Sequence, residues 1–199
     1  DRSISSLESD LEKIGKERET SYEMVPRESV KRSDFIGRDL VIVVGGDGTF
    51  TSIAHNIDAD TPVMGVNSHP ISDDPDGSFG FFMGSDSTTF GEDLRAALDG
   101  NAIINQLPRL TADIVTTSGN RITCDPALND LLLANTHQYQ PSRYRLKREG
   151  DDNHDAFDLM QRSSGLLFST FVGQGAWFRH ICVIEGMKFN PEMIHDHYL

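Results

Sequence analysis

Lysine is scarce: the chain has five in 199 residues, against 21 aspartates and 10 glutamates, for a net charge of −13. With so few cations it is short of the basic patches that hold nucleic acid or anionic lipid, so neither is expected as a partner. Abundant aspartate with little lysine suits a high-salt medium, where screening removes the self-repulsion. Cysteine is scarcer still. Cys124 and Cys182 are too few for a disulfide framework and lie in no CxxC or Cys/His metal pattern, so both read as small buried apolar residues of a protein kept reduced. No apolar run approaches the ~20 residues a membrane helix needs. The N-terminus lacks the basic-then-apolar signature of a signal peptide, and a cytoplasmic protein away from the membrane is expected. A chain of this length can bury roughly 70% of its unfolded surface without staples, as one large domain or two small ones.

What is there divides near residue 105. "SSLESDLEKIGKERE" places Leu7, Leu11 and Ile14 on one helical face with Ile4 in phase, and Ser5 and Glu8 at capping-box spacing, so a surface helix ending near residue 19 is expected. Residues 20–38 read as loop with a short strand near Tyr22–Val25. Leu40–Val44 is a β-branched apolar run typical of a strand buried on both faces of a parallel sheet. A helix from "TFTSIAHNI" and a second buried strand from "PVMGV" complete a βαβ unit. "NSHPISDDPDGS" is loop by composition. A helix over about 87–99 should stop at Gly100. Beyond it, "RLTADIVTTSGNRITCD" alternates about Ser118, Gly119 and Asn120 as a β-hairpin does, and "LLLAN", "YRLKR" and "GLLFSTF" are strand candidates. The expected architecture is an α/β nucleotide-binding domain with a parallel sheet over 1–104, then a mainly β substrate-binding domain over 105–199. The site is expected in the crevice between them, at the carboxyl ends of the strands.

The chemistry concentrates in "DLVIVVGGDGTF". Glycines at 45, 46 and 48 let an anion approach the peptide N–H groups closely, which makes the turn a phosphate cradle. It has neither the lysine of a GxxxxGK[ST] loop nor the spacing of GxGxxG. Asp47 is the unusual member, because a carboxylate beside phosphate is unfavourable unless it holds a metal or accepts a proton from an attacking hydroxyl. The plainer alternative is that Asp47 caps a helix and the glycines only turn the chain. For Asn129 and Asp130 the plainer alternative is an Asx turn at a strand end.

Four motifs in order, "GGDGTF" at 45–50, "GVN" at 65–67, "ALND" at 127–130 and "SSGLLFSTFVGQGAW" at 163–177, resemble those of the NAD kinases over about residues 5–180. GGDGT alone is shared with diacylglycerol and sphingosine kinases and, in variant form, with phosphofructokinases. The forms "GVNSHP" and "SRYRL" look most like the mitochondrial-type branch and its microbial relatives. The resemblance implies transfer of the γ-phosphate of ATP, with magnesium or another divalent cation, to the 2′-hydroxyl of the adenosine ribose of NAD, in a homo-oligomer. It implies that Asp47 is the base or orienting group, and that Gly45, Gly46, Gly48 and Thr49 hold phosphate. Asn129 and Asp130 would bind the adenosine and its ribose hydroxyls, with Asn67 close to the nucleotide and Phe81 lining the adenine pocket. Thr170, Ala176 and Trp177 would complete the NAD site. No side chain is assigned as a metal ligand.

Two departures qualify the resemblance. Where the family reads STPTGSTAY or a TGTGS-x-AW variant, this chain reads "STFVGQGAW", so Phe171, Val172, Gln174 and Gly175 replace smaller or hydroxyl-bearing residues. Each lost neutral hydrogen bond is worth about 0.5–1.5 kcal/mol. The chain also stops soon after the last motif, where the family continues with further strands. A lipid or other small-molecule kinase and a catalytically weak NAD-binding relative are therefore kept as alternatives. "HDH" at 195–197 reads as solvated tail, "EGDDNHD" at 149–155 as exposed loop, and Trp177 and Phe178 as core or pocket wall.

Overall fold

The computed structural model describes residues 2–137, 139–146 and 160–184. It divides into two compact units, with Leu107 ending the first and Pro108 opening the second.

In the first unit, α1 (Arg2–Arg18) is amphipathic as its spacing requires, and it ends where Glu19 takes a left-handed φ of 53°. The Thr20 N–H then donates to the Gly15 carbonyl, so one late carbonyl of the helix is satisfied. The helix begins before Ser5, so Ser5 and Glu8 are not its capping box. Ile4 is half exposed, whereas Leu7 and Ile14 are buried. Residues 21–26 pair with no strand, which corrects the expectation at Tyr22–Val25. Its apolar members Tyr22, Met24 and Val25 are exposed and it ends in a proline, with nothing to hold it in a ladder.

The sheet is parallel, in the order β1 (Val41–Gly45), β2 (Val63–Asn67), β3 (Ser85–Asp86). Val43 lies opposite Gly65 and Gly45 opposite Asn67, so β1 and β2 reach their carboxyl ends together. Between them α2 (Asp47–Ile53) starts two residues earlier than expected and passes into a 3₁₀ turn at Ala54–Asn56. The helix α3 (Phe90–Leu98) ends one residue short of expectation, and Gly100 at φ 72° terminates it. The core joins Leu7 and Ile14 of α1, Val66 of β2, and Phe90 and Leu94 of α3, with Ile42 and Met64 packed against them. Burial is less complete than the apolar run in β1 suggests. Val43 is buried on one face and Ile42 packs against the core on the other, but Val44, next to the glycine turn at the carboxyl end, is 37% exposed.

The second unit is mainly β. The hairpin β4 (Asp113–Val115) and β5 (Arg121–Thr123) turns through Gly119 at φ 85°. Strand β6 (Asp130–Ala134) pairs antiparallel with β9 (Gly165–Ser169), and β7 (Ser142–Tyr144) pairs with β8 (Gln161–Ser163). A 3₁₀ turn at Val172–Gly175 leads into α4 (Trp177–Ile184). Leu128 and Val172 are its buried apolar residues among those described, while Leu132, Leu133 and Phe168 are each 43–50% exposed. Cys124 is only partly buried and its sulfur accepts the Ala112 N–H, so it is not the core residue expected. The side chain of Cys182 and the segments 149–155 and 195–197 lie outside the described residues.

Candidate functional site

In the first unit the glycine turn is shaped by close packing. A Cβ at Gly45 would come within 2.5 Å of Thr49 Oγ1, and one at Gly46 within 2.7 Å of Ser78 Cβ. Neither position admits a side chain. Gly48 is different, since a Cβ there meets nothing within 4 Å. The open space beside it is where a ligand can approach the backbone. The N–H of Thr49 donates to the Gly46 carbonyl and that of Asp47 to Ser78 Oγ, so the turn's remaining peptide donors for an anion are Gly46 and Gly48. The helix that follows has only seven residues, and its dipole adds less than the sequence suggests.

Asp47 stands in the first turn of α2, but its carboxylate does not cap that helix. Oδ2 accepts from the Ser78 hydroxyl at 3.0 Å and the Gly80 N–H at 2.8 Å, and Oδ1 accepts from the Phe82 N–H at 2.9 Å. All three donors lie 31–35 residues away, in the loop between β2 and β3. Asn67, 5% exposed at the end of β2, steadies the same loop: its Nδ2 donates to the Ser78 carbonyl and its Oδ1 accepts the His69 N–H. Gly80 is required here, with φ +77° and an added Cβ 2.7 Å from Asn67 Nδ2. Phe82 stacks on Phe50 at 5.4 Å, and Phe81 meets Phe82 edge-on at 5.0 Å, which leaves Phe81 turned outward. Gly45, Gly46, Gly48, Thr49, Asp47, Asn67 and Phe81 thus form one cluster. Sequence reasoning missed Ser78 and Phe82 in it, although the glycines at 77 and 80 mark a tightly constrained loop.

The second unit gathers another group. Thr170, 5% exposed, donates its hydroxyl to the Leu128 carbonyl at 2.6 Å and accepts the Gly173 N–H, while its own N–H donates to the Asn129 carbonyl. Gly173 packs directly on the Asn129 backbone, where a Cβ would collide. The segment 169–173 therefore clamps the loop that presents Asn129 and Asp130. Asn129 Oδ1 and Asp130 Oδ1 are both buried, and neither has a hydrogen-bond partner among the described residues. Burial pushes the Asp130 carboxyl above its ordinary value, and the nearby Ser169 hydroxyl opposes that shift. Ala176 donates its N–H to the Gly173 carbonyl, and Trp177, which opens α4, is 50% exposed rather than core. Phe171 and Val172 replace small residues here, and Val172 is absorbed into the core at 4% exposure.

Among the described residues no group of three or more His, Cys, Asp or Glu could hold a metal ion. The Asp47 oxygens already accept three donors, so a divalent ion finds no protein cage in this cluster.

Residues 3–70 match the family model of the ATP-NAD kinase N-terminal domain. A probable NADH kinase of Oryza sativa subsp. japonica is 32% identical over 162 residues, which is 74% of this chain and 49% of the relative. The crystal structure of an NAD kinase from Archaeoglobus fulgidus in complex with ATP shares the fold with a TM-score of 0.64 at 18% identity, over 90% of this chain and 61% of that one. Yeast NADH kinase complexed with NADH gives a TM-score of 0.58 at 18% identity, over 78% and 41%. The chain spans about half the length of the curated relatives it matches. The matched model and these relatives agree: residues 3–70 carry an ATP-NAD kinase N-terminal domain, in a chain similar to a probable NADH kinase over 74% of its length.

Proposed function

We propose that the protein transfers the γ-phosphate of ATP to the 2′-hydroxyl of the adenosine ribose of NAD, giving NADP and ADP. The observation that carries this reading is the pair of buried oxygens, Asn129 Oδ1 and Asp130 Oδ1, without hydrogen-bond partners among the described residues. Buried acceptors of this kind are costly unless a ligand supplies donors, and ribose hydroxyls and the adenine amine are such donors. The first unit is the nucleotide-binding domain in this reading, and the second the substrate-binding domain. Gly46 and Gly48 offer N–H groups to phosphate, Gly45 and Thr49 hold the turn in shape, and Asn67 and the outward Phe81 lie beside the nucleotide.

Asp47 orients the ribose hydroxyl and receives its proton as the oxygen attacks the γ-phosphorus. The bond from that phosphorus to the bridging oxygen breaks, and ADP leaves. Magnesium carried by the triphosphate would neutralise charge on the transferring group. Thr170 acts by holding Asn129 in place, and Ala176 and Trp177 border the NAD site. The half-exposed Leu132, Leu133 and Phe168 support association of like subunits. Light scattering behind a sizing column should then report more than one copy, and a strict monomer at all concentrations removes this part of the reading. The location is cytoplasmic in this account. It fits the observation that no helix among the described residues is long and apolar enough to cross a membrane.

The test is a coupled assay for NADP from NAD, ATP and magnesium, at low and molar salt, beside Asp47→Asn. Turnover that the substitution abolishes supports the reading. NAD binding without NADP under any condition replaces it with a binding-only relative.

A further inference from the structure

We propose that Ser78 is a positioning residue for the phosphoryl transfer, acting through Asp47. This rests on the reading of Asp47 as the group that meets the ribose hydroxyl. The Ser78 hydroxyl has one proton and two lone pairs, and all three are engaged. It donates to Asp47 Oδ2 and accepts the N–H of Asp47 at 3.0 Å and, more weakly, that of Gly80 at 3.3 Å. One side chain thereby holds both the backbone and the carboxylate of Asp47. Its carbonyl is held in turn by Asn67, and its Cβ lies against Gly46 with no room for a larger residue there.

The consequence is directional. A carboxylate has about four acceptor positions, and three are filled by Ser78, Gly80 and Phe82. The one left is on Oδ1, so the ribose hydroxyl meets Asp47 at Oδ1, on the side away from Ser78. Two of those donors, the N–H groups of Gly80 and Phe82, flank Phe81, so the loop that carries the aromatic ring is the loop that aims the carboxylate. Ligand contact at Phe81 and the aim of Asp47 are mechanically one event.

Ser78→Ala removes the hydroxyl from a half-buried loop residue and leaves the core untouched. The expected result is a kcat lower by about tenfold or more, because a misaimed group loses rate rather than binding. The KM for NAD and for ATP should stay within about twofold, and the thermal midpoint should hold. Ser72→Ala, in the same loop, whose hydroxyl donates to the neighbouring Asp73, is the control and should change neither constant. Amide hydrogen exchange gives a readout independent of turnover: the Gly80 and Phe82 N–H groups are protected in the parent and exchange faster in Ser78→Ala. An unchanged kcat, or a loss that appears only in KM or only as a lower folded fraction, overturns the positioning role. Unprotected Gly80 and Phe82 amides in the parent overturn the latch itself. An inactive parent overturns the kinase reading and the kinetic role with it, and the exchange data then decide the latch alone.

Discussion

In the second unit Asp130 sets stability against binding, whereas Thr170 serves both. Because burial raises the folded value for Asp130, the ionised form is disfavoured in the fold. Its penalty is absent below the ordinary value of 3.8, grows as the pH rises towards the folded value, and is complete above that. Asp130→Asn should therefore raise the thermal midpoint at neutral pH, with the gain vanishing at acid pH, while NAD affinity falls; thermal melts across pH with a binding titration check both. Thr170→Val leaves the Leu128 carbonyl and the Gly173 N–H without their partner. The expected cost is about 1–3 kcal/mol in urea unfolding, with weaker NAD binding because Asn129 loses its clamp. The binding role of Asp130 is one the resemblance implied, whereas the clamp made by Thr170 was not legible in the sequence. "ALND" and "SSGLLFST" announce a family, but that Thr170 serves Asn129 appears only once Thr170 is brought against Leu128, 42 residues away, and its neighbour Asn129.

At the scale of elements, the sequence spoke clearly wherever a periodicity ran for a turn or more. The helices α1 and α3 and the strands β1 and β2 fall within a few residues of expectation because their apolar spacing has one burial solution. The two-residue β3 was invisible, since Ser85–Asp86 has neither length nor apolar character and is held by its partner Asn67. The loop from β2 to β3 was equally silent about its main task, because a polar loop's composition says nothing of which distant carboxylate its amides will find. The α1–α3 contact makes a quantitative test. Phe90 is fully buried between them, and Phe90→Ala should cost about 3–5 kcal/mol in denaturant unfolding. The exposed ion pairs Arg18–Asp99 and Arg95–Glu17 span the same contact, yet Arg18→Ala should cost under about 1 kcal/mol. A reversal of that order would place the stability of the contact in charge rather than packing.

For the molecule as a whole, the dominant fact is a charge of −13. At 1 M salt the screening length is about 3 Å, so repulsion among separate carboxylates is largely removed while the core is not. Raising KCl from 50 mM to 2 M should lift the thermal midpoint by about 5 °C, and a flat or falling midpoint would remove the high-salt interpretation. Composition made this legible, and the glycine motif made the α/β class legible. The change of pattern near residue 105 set the expected boundary at 104 and 105, and the two compact units divide at 107 and 108.

Trp177 brings one further consequence. It is the only tryptophan in the chain, it is half exposed, and it opens α4 just after the segment that clamps Asn129. Selective excitation of indole therefore illuminates the second unit and leaves the first dark. Emission can be followed beside circular dichroism, which sees both, so the melting of each unit and the arrival of a nucleotide can be timed separately without attaching a dye.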